Sequence, residues 1–372
     1  RHTDVWLNPL SADESTALVS HLLRAEDLPP RLRQRILAYA EGNPFYIEEL
    51  LRSLIDSDAM VQDPATGRWR ATQDVDDITI PDTLHGVLRA RIDRLEQETK
   101  HILQLASVIG RSFFYQVLAE LAQEEQSLHA HLLTLQRETL IQERAQGADL
   151  EYVFKSQLTQ EAAYSGILLK ERRAYHQQVA EALERLFLEP MGASASASTL
   201  GVNDIAGQLA WHFEEAGDGD RARHYLKLAG EHALVRAAHT DAANYIGRAL
   251  ALTPETEQGA RYEMLLIRER AYELQAARSA QAQDLAELEK LARALGESQK
   301  HAEVALRQAA YAEATSDYPA AIAAAQCAID WADMAQDRGR QASGHLRWAW
   351  TLQGQGDYTA SREHLEQALA LA

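Results

Sequence analysis

The chain has 372 residues, more than one ordinary hydrophobic core organises, so two to three domains are expected. Its 55 acidic side chains against 37 basic ones give a net charge of −18, which argues against nucleic acid as the main partner. A single cysteine, Cys327, excludes a disulfide framework and a cysteine-rich metal site and favours a reducing, cytoplasmic setting. No apolar run approaches the ~18 residues of a membrane span, and no signal peptide is recognisable. Because the chain begins with Arg1 and not with Met, we expect a fragment of a longer protein.

Residues 1–56 are predicted to form three short helices. Ser11 and Glu14 stand three residues apart, as in a capping box that opens a helix. Pro29-Pro30 ends that helix, and a second helix is expected near residues 31–40. Three such helices bury only a modest core by themselves.

The third helix begins at the turn Gly42-Asn43-Pro44. Proline suits the first helical position, where its missing N–H is not needed. The apolar residues behind it recur at helical spacing: Ile47, Leu50, Leu51 and Leu54. Two acidic residues, Glu48 and Glu49, lie near the positive end of the helix dipole. Such a turn can present free backbone N–H groups to a nucleotide or simply join two helices, and the local pattern favours the plain helix start.

Residues 57–80 no longer show helical periodicity. Met60-Val61 and Arg68-Trp69-Arg70 flank a loop that ends in Gly67, and this pattern predicts a β-hairpin. An acidic connector, Asp74 to Asp77, follows the hairpin.

Residues 81–188 return to helical periodicity, interrupted by two short strands that are predicted at 140–141 and 150–154. Four apolar stripes predict the helices: Leu84, Val87, Leu88, Ile92 and Leu95; Ile102, Leu105, Ala106 and Ile109; Phe114, Val117, Leu118 and Leu121; Leu128, Leu132 and Leu135. We place Arg91 at the edge of the first stripe. Helices followed by a hairpin are the order of elements in a winged helix, and two more helices are expected near 159–170 and 171–188.

A winged helix that reads DNA would present Arg, Lys, Asn or Gln from the helix near 127–138. That helix offers Glu138 beside the following residues: Ser127, His129, His131, Gln136 and Arg137. The hairpin carries Arg144 among three acidic residues. Because this surface does not attract phosphate, the sequence favours a structural or regulatory use of the winged helix over DNA binding.

Residues 189–203 contain small polar residues without apolar anchors and predict a flexible linker. Residues 204–372 indicate helical repeats, because Asp317-Tyr318-Pro319-Ala320 and Asp357-Tyr358-Thr359-Ala360 match about 40 residues apart. Asp220 and Asp241 are expected to precede helices in the same way. The pattern predicts about nine helices stacked as a tetratricopeptide-like α-solenoid.

Five aromatic side chains of the repeats are candidates for binding a protein or peptide: Tyr311, Trp331, Trp348, Trp350 and Tyr358. For most of them, filling gaps between stacked helices is the favoured alternative. No lysine follows a glycine, so the phosphate-binding Gly-Lys-Ser/Thr loop is absent. The common metal and nucleophile motifs are absent as well. We therefore expect neither enzyme activity nor a metal or cofactor site from this chain alone.

In this order the parts resemble the region downstream of the nucleotide-binding core in bacterial signal-transducing ATPases of the STAND type. These regulators carry tetratricopeptide tails, occur with class III adenylate/guanylate cyclase domains and are more distantly similar to MalT-like activators. The matching strings are Leu7-Asn8-Pro9-Leu10, the stretch 41–50, Ile80-Pro81-Asp82-Thr83-Leu84, the stretches 89–95 and 105–113, and Phe154-Lys155-Ser156. The resemblance covers residues 1–188 in detail and 204–372 only as a repeat type.

The resemblance implies that residues 1–56 are the helical lid of an ATPase module and that 81–188 contain a winged helix that gates the nucleotide-binding core. Gly42, Asn43 and Pro44 would lie against the adenine of ATP or ADP in the full-length protein. The repeats would sense a protein or peptide, and ATP would allow oligomerisation. This chain departs from the family because it lacks the phosphate loop and the magnesium carboxylate. The alternatives are a constitutive protein-binding scaffold and a DNA-binding transcription regulator.

Overall fold

The computed structural model describes residues 8–23, 28–63, 69–72, 83–122, 125–146, 149–188 and 202–371. The chain divides into two compact units, residues 1–182 and 183–372. Eighteen helices and five short strands form in the described residues, so the expected mainly α fold with small antiparallel sheets and a helical solenoid is confirmed. None of these helices combines the length and the apolar character that crossing a bilayer requires. The predicted acidic connector and nearly all of the predicted linker lie outside the described residues.

The first unit begins with three helices and a hairpin: α1 (Ala12–Leu23), α2 (Pro30–Ala40), α3 (Pro44–Asp56), β1 (Met60–Gln62) and β2 (Trp69–Ala71). The capping box is confirmed, since the Ser11 N–H donates to Glu14 Oε2 at 2.8 Å and the Glu14 N–H donates to Ser11 Oγ at 3.3 Å. The predicted hairpin is also confirmed, with β1 and β2 antiparallel. A buried apolar cluster joins the three helices to Met60.

The unit continues with helices around a second sheet: α4 (Leu84–Asp93), α5 (Gln97–Ile109), β3 (Ser112–Phe114), α6 (Tyr115–Leu121), α7 (Glu125–Arg137), β4 (Ile141–Gln146), β5 (Asp149–Phe154), α8 (Gln157–Ser165) and α9 (Leu169–Leu188). The predicted strand pair is confirmed as β4 and β5, which pair antiparallel. The sheet order is β3-β5-β4.

Strand β3 was not predicted from the sequence, which assigned Phe114 to a helix. Ser112–Phe114 pair antiparallel with β5 instead, and α6 begins only at Tyr115. Three residues are too short for a periodicity to show, and the strand exists because β5 offers it an edge. Its Phe113 ring packs on Tyr152 and Phe154 of β5, with ring centroids 5.8 and 5.9 Å apart.

The second unit contains the C-terminal end of α9 and nine further described helices, in agreement with the predicted number: α10 (Val202–Ala216), α11 (Gly219–Val235), α12 (His239–Leu252), α13 (Gln258–Leu274), α14 (Arg278–Leu295), α15 (Ser298–Ala314), α16 (Tyr318–Met334), α17 (Arg338–Gln355) and α18 (Tyr358–Leu371). The helices α11, α13, α15 and α17 begin 39, 40 and 40 residues apart, as do α12, α14, α16 and α18. Each helix packs mainly on its neighbours in sequence, which is the nearest-neighbour arrangement of a solenoid.

The turn between the two helices of each pair repeats with the same period. It contains one residue with positive φ, at Ala237, Ala276, Ser316 and Gly356 in successive pairs. The next residue donates its N–H to the carbonyl five positions back, as Asp317 does to Ala312 O at 2.8 Å and Asp357 to Leu352 O at 3.0 Å. This is the Schellman arrangement that ends a helix and lets the next one fold back.

Two of the four predicted aspartate positions are corrected by the structure. Asp317 and Asp357 precede α16 and α18, and their side chains accept from the N–H groups of the residues three positions on. In α11 the capping side chain is Asp218, and Asp220 already lies in the first turn. Asp241 likewise lies inside α12. These helices begin earlier because the preceding turn, not the aspartate, determines where the chain folds back.

The Gly356→Ala substitution tests the energetic role of this turn. A Cβ at Gly356 would meet nothing within 4 Å, so only the left-handed backbone with φ of 85° opposes it. We expect the free energy of unfolding to fall by about 1 kcal/mol, because L residues other than glycine disfavour this region. The reverse change Ala276→Gly, at a φ of 54°, should raise it. Urea unfolding of both variants measures the two changes in the free energy of unfolding. Changes of the same sign in both variants would contradict the prediction.

Candidate functional site

The turn at Gly42-Asn43-Pro44 is built by two successive residues with positive φ, Glu41 at 47° and Gly42 at 77°. A Cβ at Gly42 would lie 2.4 Å from Leu10 O, so no side chain fits there. The Leu10 N–H donates to Gly42 O at 2.8 Å and ties the chain before α1 to the turn. Only glycine meets both the backbone requirement and the close approach.

The first N–H groups of α3 are satisfied within the turn itself. The Asn43 side-chain oxygen accepts from the Phe45 N–H at 3.0 Å and from the Tyr46 N–H at 3.2 Å. Pro44 has no N–H, so the first three residues of α3, Pro44 to Tyr46, offer no free backbone N–H to a ligand. Of the two interpretations open from sequence, the geometry favours a capped helix start. Any contact between Gly42, Asn43 and Pro44 and adenine would therefore use the surface of the turn.

Helix α3 carries a charged cluster that corrects the expectation for Arg91. This side chain was placed at the edge of an apolar stripe, but it is only 4% exposed and donates to Glu49, which is 1% exposed. Arg91 Nη2 also donates to Glu138 O at 2.6 Å, and its Nε lies 3.4 Å from Asp56 Oδ2. One arginine therefore joins α3, α4 and the end of α7.

The outer side of the same helix is polar as well. Glu48 Oε1 accepts from Lys155 Nζ at 2.5 Å, and the Arg52 guanidinium lies 3.4 Å from the same oxygen. Beside them a cleft of about 360 Å³ opens among α1, α3 and the end of α7, with Leu22, Leu51 and Arg137 in its wall. Basic and acidic groups balance here, so the cleft has no strong charge preference.

The repeats form a second candidate site, a groove across the face shared by α13, α15 and α17. A cleft of about 290 Å³ lies there. It is lined by charged groups of both signs and a small apolar floor: Glu269, Arg270, Glu273, Glu303, Leu306, Arg307, Ala310, Ser343 and Arg347. Mixed charge around an apolar floor is a surface that can hold an extended peptide.

The five aromatic candidates occupy different places. Trp350 of α17 is 47% exposed and lies beside the groove-lining Arg347, whose guanidinium is 5.3 Å from the Trp350 ring centroid. Trp331 stacks on His301 and Trp348 stacks on His364, with centroids 4.3 and 4.1 Å apart, so both fill spaces between helices. Tyr311 is half-buried on α15, and Tyr358 is exposed on α18, which does not line the groove. Among the five, Trp350 is the one that is both exposed and in contact with a residue of the groove wall, while its own ring does not line the cleft.

The charged residues of the groove were not among the candidates from sequence. Arg307 donates to Glu269 Oε2 at 2.5 Å and to Glu303 Oε1 at 3.1 Å. Burial lowers the pKa of Arg307, but the charges and hydrogen bonds of Glu269 and Glu303 outweigh this effect, so the pKa is raised and the group stays charged. The repeat register could have revealed Glu269, because the equivalent positions hold only glycine or alanine.

A histidine pair lies between α17 and α18. His345 Nδ1 and His364 Nδ1 are 3.0 Å apart, so the N–H of one ring donates a hydrogen bond to the nitrogen of the other. Burial lowers the pKa of both imidazoles. At His345 the charge of His364 lowers the pKa further, and at His364 the charge of Glu363 opposes the effect of burial on the pKa in part. The pair is therefore a neutral packing element of the last described repeat.

Comparison with known proteins gives partial matches. Residues 11–64 match a family described as a domain of unknown function, DUF8739. The chain is 24% identical over 269 residues to the peroxide stress-activated histidine kinase mak3 of Schizosaccharomyces pombe. That alignment covers 68% of this chain and 11% of mak3, so the chain spans about a tenth of the length of this relative.

Two solved structures are similar in part. One is a STAND protein with a tetratricopeptide repeat sensor, PH0952 of Pyrococcus horikoshii, at 13% identity and a TM-score of 0.37 over 100% of this chain and 55% of that chain. The other is aspartyl phosphate phosphatase F of Bacillus subtilis, at 10% identity and a TM-score of 0.29 over 99% and 96% of the two chains. TM-scores this low do not establish a shared fold.

Proposed function

We propose that this chain is the regulatory and sensor segment of a signal-transducing ATPase of the STAND type. The repeats bind a protein or peptide, and the first unit, with a lid and a winged helix, gates a nucleotide-binding core. The observation that carries the binding role is the groove across α13, α15 and α17 with Trp350 exposed beside it. A solenoid groove with an exposed aromatic anchor is a common way to hold an extended peptide.

The gating role rests on the resemblance in sequence and on the contacts of Arg91 in the first unit. Arg91 connects the lid helix α3 with α4 and the end of α7, so we expect these elements to respond together. ATP or ADP would be held by the core of the full-length protein, with Gly42, Asn43 and Pro44 on the adenine side. Binding of a partner to the repeats would bias how the first unit docks on that core. The stress-activated kinase mak3 supports a signalling role for a segment of this kind.

A constitutive scaffold is the second candidate function, because the groove would bind a partner equally well without any switch. DNA binding by the winged helix is less well supported. Two side chains of α7 that could read bases are bound within the protein, since His131 Nδ1 lies 2.9 Å from Thr99 Oγ1 and Gln136 Nε2 lies 3.5 Å from Glu143.

The binding role is tested with peptides selected from a random library on the immobilised chain. Their dissociation constants are then measured with the native chain and with the Trp350→Ala variant. We expect a loss of about tenfold, because truncating an aromatic anchor costs more than 1 kcal/mol. Tyr358→Ala is the matched control, since Tyr358 is exposed but lies on α18. Equal affinities for Trp350→Ala and native protein would overturn the groove as the binding site.

The switch is tested in the full-length protein with the same peptide. Its affinity is compared with ADP bound and with a non-hydrolysable ATP analogue bound. A gating role demands a difference between the two affinities, because coupling is reciprocal. Equal affinities would leave the scaffold as the function.

A further inference from the structure

The repeat formed by α13 and α14 differs from the other repeats at one pair of equivalent buried positions. Where the two helices of each pair approach each other, the first helix carries Gly230, Glu269, Ala309 and Ala349 at positions 39, 40 and 40 residues apart. The second helix carries Ala242, Gln281, Ala321 and Ser361 with the same spacing. All eight residues are buried. Small residues therefore face each other in three pairs, and a glutamate faces a glutamine in one.

Glu269 and Gln281 satisfy each other at this position. Gln281 Nε2 donates to Glu269 Oε1 at 2.7 Å, and both side chains are at most 1% exposed. The second carboxylate oxygen accepts from Arg307 Nη1 at 2.5 Å. Stability alone does not require this arrangement, because apolar residues of similar volume often replace a buried ion pair at little cost or with a gain. Its structural consequence is that the Arg307 guanidinium is held at the groove.

Arg307 has donors left over. Its Nε donates to Glu303 and its Nη1 to Glu269 and, at 3.4 Å, to Leu266 O. Nη2 makes no hydrogen bond among the described residues, and the side chain is 24% exposed in the wall of the groove cleft. Arg307 therefore lines the same cleft as Leu306 and Ala310, with two of its three guanidinium nitrogens held by hydrogen bonds and Nη2 left as a donor.

The surrounding charge indicates which acceptor fits this donor. Glu303 also accepts from Arg340, which pairs with Asp337. The two other arginines of the groove wall are paired as well, Arg270 with Glu273 and Arg347 with Glu313. Counted together with the Arg307 pairs, four arginines lie beside five carboxylates. A carboxylate ligand would add to that negative excess, whereas a neutral carbonyl would not. An extended peptide presents such a carbonyl at every residue.

We propose that Glu269 and Gln281 are positioning residues that hold Arg307 so that its Nη2 donates to a main-chain carbonyl of an extended peptide in the groove. This inference rests on the proposed peptide-binding function. It adds that recognition at Arg307 depends on the peptide backbone and not on an acidic side chain.

The test uses the selected peptide and the double variant Glu269→Ala/Gln281→Ala in the full chain. This variant creates the small pair found as Ala309 and Ala321 in the next repeat, so the chain should fold, and circular dichroism with urea unfolding checks this. We expect a five- to tenfold loss of affinity, about the contribution of one hydrogen bond. Adding Arg307→Met to the double variant should cause little further loss, because the guanidinium is already released.

A folded double variant that binds as tightly as native protein would overturn the inference. So would a loss of affinity when Asp and Glu of the peptide are replaced by Asn and Gln, together with steep weakening from about 0.05 to about 0.5 M salt. Failure of the proposed function is distinguishable, since Trp350→Ala then has no effect either. If Trp350→Ala weakens binding and the double variant does not, the positioning role of Glu269 and Gln281 is wrong, while peptide binding in the groove stands.

Discussion

Replacing Arg91 by alanine should lower the free energy of unfolding of the first unit by about 3 to 5 kcal/mol. Arg91 and Glu49 are almost completely buried, and removing one partner leaves a charge without compensation. The loss also breaks the hydrogen bond to Glu138 O and removes the cation beside Asp56. Urea unfolding measures the change, and hydrogen exchange in peptides from α3, α4 and α7 localises it to the elements that Arg91 joins.

Two variants control this prediction. Arg91→Met combined with Glu49→Leu replaces both charges by apolar groups and should recover most of the loss. Lys100→Ala removes the exposed ion pair with Asp93, whose side chains are 31% and 54% exposed, and should cost at most about 1 kcal/mol. A loss for Arg91→Ala no larger than that for Lys100→Ala would show that the buried pair does not hold the unit together.

The stability of the first unit should fall in mild acid because of His176. This side chain is fully buried, and its Nε2 lies 2.9 Å from the hydroxyl of Tyr164. Burial, with a smaller effect from the charge of Arg172, lowers the pKa of His176 to about 4. Since the pKa is lower in the folded state, the unfolded state binds more protons between pH ~6.5 and ~4. The stabilisation is complete above pH ~6.5 and decreases by about 1.4 kcal/mol per pH unit below it, up to about 3 kcal/mol.

Comparison with His176→Gln isolates this contribution from the other titrating groups. The difference in unfolding free energy between native protein and variant should depend on pH between pH ~4 and ~6.5 and be constant above that range. His129→Gln is the matched control, because His129 is exposed on α7. A difference that is independent of pH in mild acid would mean that His176 takes up its proton in the folded state as readily as in the unfolded chain.

Local features of the fold were predictable from the residues. The Ser11–Glu14 capping box and the helix beginning at Pro44 follow from hydrogen bonds and backbone angles within a few residues. The hairpin of β1 and β2 follows from a loop of turn residues between Met60-Val61 and Arg68-Trp69-Arg70. The period of about 40 residues was visible because Asp317 and Asp357 cap equivalent helices. Such signals are short-range, so one sequence contains them completely.

Other features depended on residues far apart in the chain. Arg91 was interpreted as an edge residue because an arginine interrupts an apolar stripe, and its partner Glu49 lies 42 positions away. Strand β3 exists only through pairing with β5. In the repeats, five aromatic residues were predicted as binding candidates because aromatic side chains are large and often anchor a partner. Exposure alone separates Trp350 from Trp331 and Trp348, and exposure is a property of the folded chain.

The sequence by itself determined that the chain is mainly helical, that its repeats have a period of about 40 residues, and that the phosphate loop is missing. Apolar periodicity, turn residues and motif spacing depend on residues that are close together in sequence, so they can be recognised without knowing which distant residues come into contact. The tertiary structure decided which charges are buried. It brought Glu49 to Arg91 and Glu269 to Arg307, because a carboxylate enters a protein interior only where the fold supplies a cation and hydrogen-bond donors.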